Sequence, residues 1–112
     1  MTYNPSAVGV FKVSFTFATF SPMTIGQLIP GNVMTRVVLR IDVPFSDPAA
    51  TILVGTSTTP SLFLGATDSD PGVVDQYQNE QMYSFAVADF FQVTINPGAS
   101  VAGSATLFYE LK

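Results

Sequence analysis

The sequence predicts an all-β fold: an antiparallel β-sandwich, jelly-roll-like, of seven or eight strands. Three observations predict it. Apolar and polar residues alternate with a period of two along most of the chain. Pro and Gly, eight of each, punctuate the alternating runs. No stretch carries the 3.6-residue period of an amphipathic helix, no repeat is visible, and 112 residues suit a single domain, read as 1–112.

Residues 11–17 read Phe-Lys-Val-Ser-Phe-Thr-Phe, which puts Phe11, Val13, Phe15 and Phe17 on one face and Lys12, Ser14 and Thr16 on the other. Gly9 ahead of this run is placed to mark a bulge or a change of phase. Residues 23–29 form a second strand, closed by Pro30-Gly31. The longest alternation covers 35–45, with Val37, Leu39, Ile41 and Val43 against Arg36, Val38, Arg40 and Asp42. Its β-branched residues and Pro44 disfavour a helix. After the turn Ser46-Asp47-Pro48, residues 51–55 read as a short strand buried on both sides. A polar loop over 56–60 leads to Leu62-Phe63-Leu64-Gly65, which fits a strand or a single helical turn. Residues 66–72 are a loop, after which Val73, Val74 and Tyr77 resume a short element. In 81–87, Tyr83, Phe85 and Val87 alternate with Met82, Ser84 and Ala86. Phe91, Val93 and Ile95 alternate with Gln92 and Thr94 up to Asn96-Pro97-Gly98, the composition of a type II turn. Ala105, Leu107, Tyr109 and Leu111 close the chain, opposed by Thr106, Phe108, Glu110 and Lys112.

Composition excludes whole classes of chemistry. There is no His and no Cys, so His- or thiolate-based catalysis, disulfides, and His- or thiolate-ligated metals cannot be built from this chain alone. Four basic residues (Lys12, Arg36, Arg40, Lys112) on a chain of net charge −4 make no footprint for a phosphate backbone, so no nucleic-acid partner is expected. The start Met1-Thr2-Tyr3-Asn4-Pro5 lacks a basic targeting region, and Lys12, Ser14, Thr16 and Thr19 interrupt the apolar stretch 8–20. A soluble chain made in a cytoplasm, with no membrane partner, is expected. Charged residues are only 11% of the chain, against roughly 25% in an ordinary soluble domain. Part of such a surface is expected to be covered by copies of the chain or by a partner.

The candidate sites follow from what remains. Asp68, Asp70, Asp75 and Glu80 are the only acidic cluster, but the run Asp-Ser-Asp-Pro-Gly lacks the further ligands of a calcium loop and is a good turn former. No metal and no cofactor is expected. Glu80 and Glu110 are the only glutamates and sit in no catalytic motif, so an enzyme is not expected. Arg36 and Arg40, four apart on one face beside Asp42, are placed to bridge to carboxylates of a neighbouring strand or subunit, although a solvated sheet face is the commoner outcome. If the larger alternating sets form the core, Val38, Phe90 and Phe108 point outward. A contiguous outward apolar patch marks an association surface, so these three, with Tyr3 and Pro5 of the N-terminal arm 1–7, are the expected interface.

Three runs carry a resemblance. They are Ile29-Pro30-Gly31-Asn32-Val33, the strand from Arg36 through Pro44-Phe45, and Ala50-Thr51-Ile52-Leu53-Val54-Gly55-Thr56. Tyr77, and the stretch from Pro97-Gly98 to Gly103-Ser104-Ala105 before the strand bearing Tyr109, extend the match. From about residue 23 onward this pattern of strand spacing resembles small virion proteins of tailed bacteriophages, the head decoration (cement) proteins and domains of head or tail fibres. The resemblance implies a β-sandwich, commonly trimeric, with no catalytic residues. It implies a capsid decoration protein in the virion, bound to itself and to the major capsid protein or another virion protein, and assembled in the bacterial host cytoplasm. The alternative is a fibre or baseplate domain that binds host glycan through Asp68, Asp70 and Tyr77. A small secreted carbohydrate-binding domain is a third reading, opposed by the absence of Trp and of a signal segment.

Overall fold

A computed structural model describes residues 9–80 and 82–112. It contains eight strands: β1 (Gly9–Thr16), β2 (Met23–Leu28), β3 (Val33–Val43), β4 (Thr51–Thr56), β5 (Gln76–Asn79), β6 (Tyr83–Ser84), β7 (Asp89–Asn96) and β8 (Ser104–Leu111). They form two antiparallel sheets. The larger runs β1-β8-β3-β5, with β6 also pairing to β3, and the smaller runs β2-β7-β4. Early strands thus pair with late ones: β1 with β8, β2 with β7, β3 with β6. The two sheets together make an antiparallel β-sandwich. Among the described residues, β4 has no full-length outer neighbour; a single bridge from Val54 to Leu64 stands in that position.

The period-two pattern becomes the core directly. Val37, Leu39 and Ile41 of β3, Phe91, Val93 and Ile95 of β7, and Ala105, Leu107 and Leu111 of β8 are all buried between the sheets. Phe15 joins them, and Phe11, Val13, Phe17 and Tyr109 pack partly buried against the same cluster. Aromatic rings seal one end, where Phe63 meets Tyr83, Phe85 and Phe91 edge-on at 5.8–6.4 Å between centroids. Edge-to-face contact sets the positive rim of one ring against the negative face of another.

Four local expectations are corrected. Of the expected strand 81–87, the described residues 82–87 hold only the two-residue β6, because Phe85 turns into the core while Val87 is 76% exposed. Val43 leaves the inner face after a register shift between Ile41 and Val43, and is half exposed. β4 is an edge strand, so Leu53 on its outer side is only half-buried rather than enclosed. The turn near Gly98 closes from Ser100 N–H to the Pro97 carbonyl at 3.1 Å, one residue later than a type II turn on Asn96 would. Gly98 is nevertheless required there: its φ is +59°, and a Cβ would collide with the Asp47 carboxylate, which accepts the N–H groups of Ala49 and Ala99. Those two backbone bonds hold the Asp47 carboxyl below the usual carboxylate range.

Candidate functional site

Alternation that sends Val37, Leu39 and Leu107 inward sends Arg36, Val38, Arg40, Thr106, Phe108 and Glu110 outward, onto the exterior of the larger sheet. Val38 lies opposite Phe108 on one side and Gln78 on the other, and Phe108 lies opposite Lys12. The Arg40 guanidinium stands 5.1 Å from the Phe108 ring centroid. Its Nε donates to Asp42 Oδ1 at 2.6 Å, and the Thr106 hydroxyl donates to Asp42 Oδ2 at 2.7 Å. The Thr106 bond, helped by Arg40 and opposed by a little burial, holds the Asp42 carboxyl below its ordinary range. Across the face, the Thr35 hydroxyl donates to Glu110 Oε1 at 2.5 Å, while Arg36 reaches Gln78 at 3.4 Å and Glu80 at 3.9 Å. Between the two arginines lies a depression of about 350 Å³, lined also by Val10, Val38, Gln76, Phe108 and Glu110.

The exterior of the smaller sheet is built differently. Thr24 and Gln27 of β2, Thr51 and Leu53 of β4, and Phe90, Gln92 and Thr94 of β7 face outward, and none of them ionises. Gln92 donates to Thr24 Oγ1 at 3.2 Å, and Asn96 to Thr51 Oγ1 at 3.1 Å. At the edge of this face, partial burial raises the Asp89 carboxyl. The Ser57 hydroxyl and the Phe90 N–H outweigh that and draw it down to about 2.

The expected interface residues do not converge. Val38 points outward yet is 6% exposed, because its neighbours' longer side chains close over it. Phe108 is half-buried beneath Arg40, and Phe90, 47% exposed, lies on the opposite side of the sandwich. Val38 and Phe108 therefore share a face that Phe90 does not, and the three make no single patch. Tyr3 and Pro5, with the arm 1–7, lie outside the described residues. Asp68 accepts the Gly65 N–H at 2.6 Å and Asp70 the Gly72 N–H at 3.0 Å, so both carboxylates close their own loop. Tyr77 does meet Asp70, but its hydroxyl donates to the Asp70 backbone carbonyl at 3.3 Å. Among the described residues, no three acidic side chains converge as a metal site would need.

Among the described residues, the most exposed apolar side chains are in loops that the alternation argument passed over. Phe20, in the β1–β2 loop, is 87% exposed, and Val101, in the β7–β8 loop at the same end, is 79% exposed. A signal was present for Phe20: it stands outside the alternating run, directly before Ser21-Pro22, where a strand cannot continue to bury it.

No protein-family model and no curated protein matches the sequence. Two solved structures share the fold. One is a chain of the cyanophage Pam1 capsid asymmetric unit, with a TM-score of 0.67 and 18% identity over 99% of this chain and 89% of that one. The other is a chain of the acidic stable capsid structure of Helicobacter pylori bacteriophage KHP30, with a TM-score of 0.71 and 17% identity over 96% of this chain and 88% of that one.

Proposed function

We propose that this chain is a structural virion protein of a tailed bacteriophage: a capsid decoration (cement) protein, trimeric, that stabilises the head through contacts with the major capsid protein or another virion protein. The observation that carries this reading is that both structures of like fold come from phage capsids, with the likeness running nearly end to end in both directions. Their chains are therefore of about this length. The resemblance in strand spacing from about residue 23 onward supports the same reading from the sequence. In it the chain is one domain whose segment 1–7 serves as an arm on a neighbour, and it is assembled in the host cytoplasm. The role needs no catalytic step, cofactor, nucleic acid or membrane.

The two exteriors suggest how such a protein sits. Removing a charge from water costs several kcal/mol unless it is paired again, whereas Thr and Gln side chains can exchange water for hydrogen bonds across a contact at little net cost. The uncharged exterior of the smaller sheet is therefore the face suited to lie on the shell, and the ion-paired exterior of the larger sheet the one suited to water or to copies. At roughly 25 cal/mol per Å² of apolar area, even a small contact repeated over a lattice adds up.

Adding the purified protein to capsids stripped of it tests the reading. Co-sedimentation with the shell and a rise of several degrees in the temperature of genome release are expected. Failure to bind, together with glycan-array binding that Asp70→Ala abolishes, would replace it with the fibre or baseplate reading.

A further inference from the structure

A protease of the trypsin class cuts after Lys or Arg and takes its substrate as an extended segment several residues long. A bond paired into a sheet is therefore cut only while that part of the sheet is open. The basic residues of this chain are Lys12 in β1, Arg36 and Arg40 in β3, and Lys112 next to β8. Lys112 is itself paired, its N–H donating to the Val33 carbonyl at 2.9 Å and its carbonyl accepting the Val33 N–H at 2.8 Å. None of the described loops carries a basic residue, so strand opening alone decides where such a protease acts.

The two strands with internal basic residues are secured very differently. β3 has β8 on one side and β5 and β6 on the other, and its Met34, Val37, Leu39 and Ile41 are fully buried. Freeing the Arg36–Val37 or Arg40–Ile41 bond takes apart the middle of the larger sheet and the core beneath it. Among the described residues, β1 pairs with β8 alone. Only Phe15 along it is fully buried, Phe11 and Val13 are half-buried, and Lys12, Ser14 and Thr16 are exposed. Its Phe11 ring stacks on Tyr109 at 5.4 Å and its Ser14 hydroxyl meets that of Thr106 at 3.2 Å, both on β8. Detaching β1 leaves β8 paired to β3, and leaves the smaller sheet whole.

We infer that β1 opens as a unit of its own, at less cost than unfolding the sandwich, and that Lys12–Val13 is the bond at which a trypsin-class protease enters the folded chain. The stretch such a protease must hold around that bond is most of β1 itself. A cut there severs segment 1–7 from the sandwich. The inference concerns the free chain and stands apart from the virion reading.

Trypsin added to the full chain in water, with the loss of intact mass followed by mass spectrometry, tests it. The first products expected are residues 1–12 and 13–112. Because Lys12 is exposed, Lys12→Gln should leave the melting temperature unchanged while slowing the loss of intact chain about tenfold or more. Ile52→Val removes a buried methyl group from β4, in the other sheet, and so weakens the sandwich as a whole. It should leave the rate unchanged in the wild-type background, since β4 stays folded when β1 opens. Combined with Lys12→Gln it should speed the loss about fivefold, since Arg36 and Arg40 are then reached only by unfolding. A chain not cut after Lys12, first cuts at Arg36 or Arg40, a Lys12→Gln chain lost as fast as the wild type, or Ile52→Val speeding both backgrounds alike would overturn the inference.

Discussion

On the larger sheet Val38 faces outward and is 6% exposed; on the smaller sheet Phe90 faces outward and is 47% exposed. Both are apolar residues on the solvent side of their strands. The difference lies in what stands beside them. Val38 is in the middle of β3, with β8 on one side and β5 on the other, and Arg36 and Arg40 two residues away on its own strand. Phe90 is the second residue of β7, opposite Gln27 near the end of β2, with no long cation over it. An outward direction is thus set by the strand, but exposure is set by the length of neighbouring side chains and by the number of flanking strands.

The largest expected effect tests that contrast head-on. Val38→Asp places a carboxylate where water is excluded and should destabilise the fold by about 3 kcal/mol, a fall in Tm of more than about 10 °C. Phe90→Asp should cost less than about 1 kcal/mol in the isolated protein. Equal losses on thermal melting would mean that the two exteriors are alike after all.

A smaller effect separates the parts of the cover. Arg40→Ala removes the group stacked on Phe108 and should cost about 1 kcal/mol. It should also raise the Asp42 pKa, as Thr106→Val should, because both groups hold that carboxyl down. NMR titration of the Asp42 side chain reads both shifts directly, and an Asp42 pKa unmoved by Arg40→Ala would remove the ion pair from the cover.

The smallest effect belongs to the rim of the uncharged face. The Asp89 carboxyl titrates at about 2 when folded, below the ordinary 3.8, so its contribution is complete above about pH 4 and is lost as the pH falls through 2. Solvent screening keeps this below about 1 kcal/mol. Asp89→Asn should flatten the melting temperature over that window, and an unchanged slope would remove the Ser57 bond from the account.

Much of the fold was legible in the residues themselves. The runs through Phe15, Leu39, Val93 and Leu107 announced which side of each strand enters the core, and the punctuation by Pro and Gly announced where strands stop. The short β6 was not legible, because Tyr83, Phe85 and Val87 alternate as a strand would, whereas in the fold Phe85 is buried against Phe63 and Val87 is left exposed. The outward direction of Val38, Phe90 and Phe108 could be read, but not their separation onto two exteriors.

By itself the sequence determined an all-β chain, its inward-facing residues and its scarcity of charge, because strand periodicity is a property of consecutive backbone units. Only the tertiary structure decided that Arg40 lies over Phe108, that Val38 is covered, and that Phe20 stands free at one end. Those outcomes depend on pairings such as Val38 with Phe108, between residues far apart along the chain, which no local pattern records.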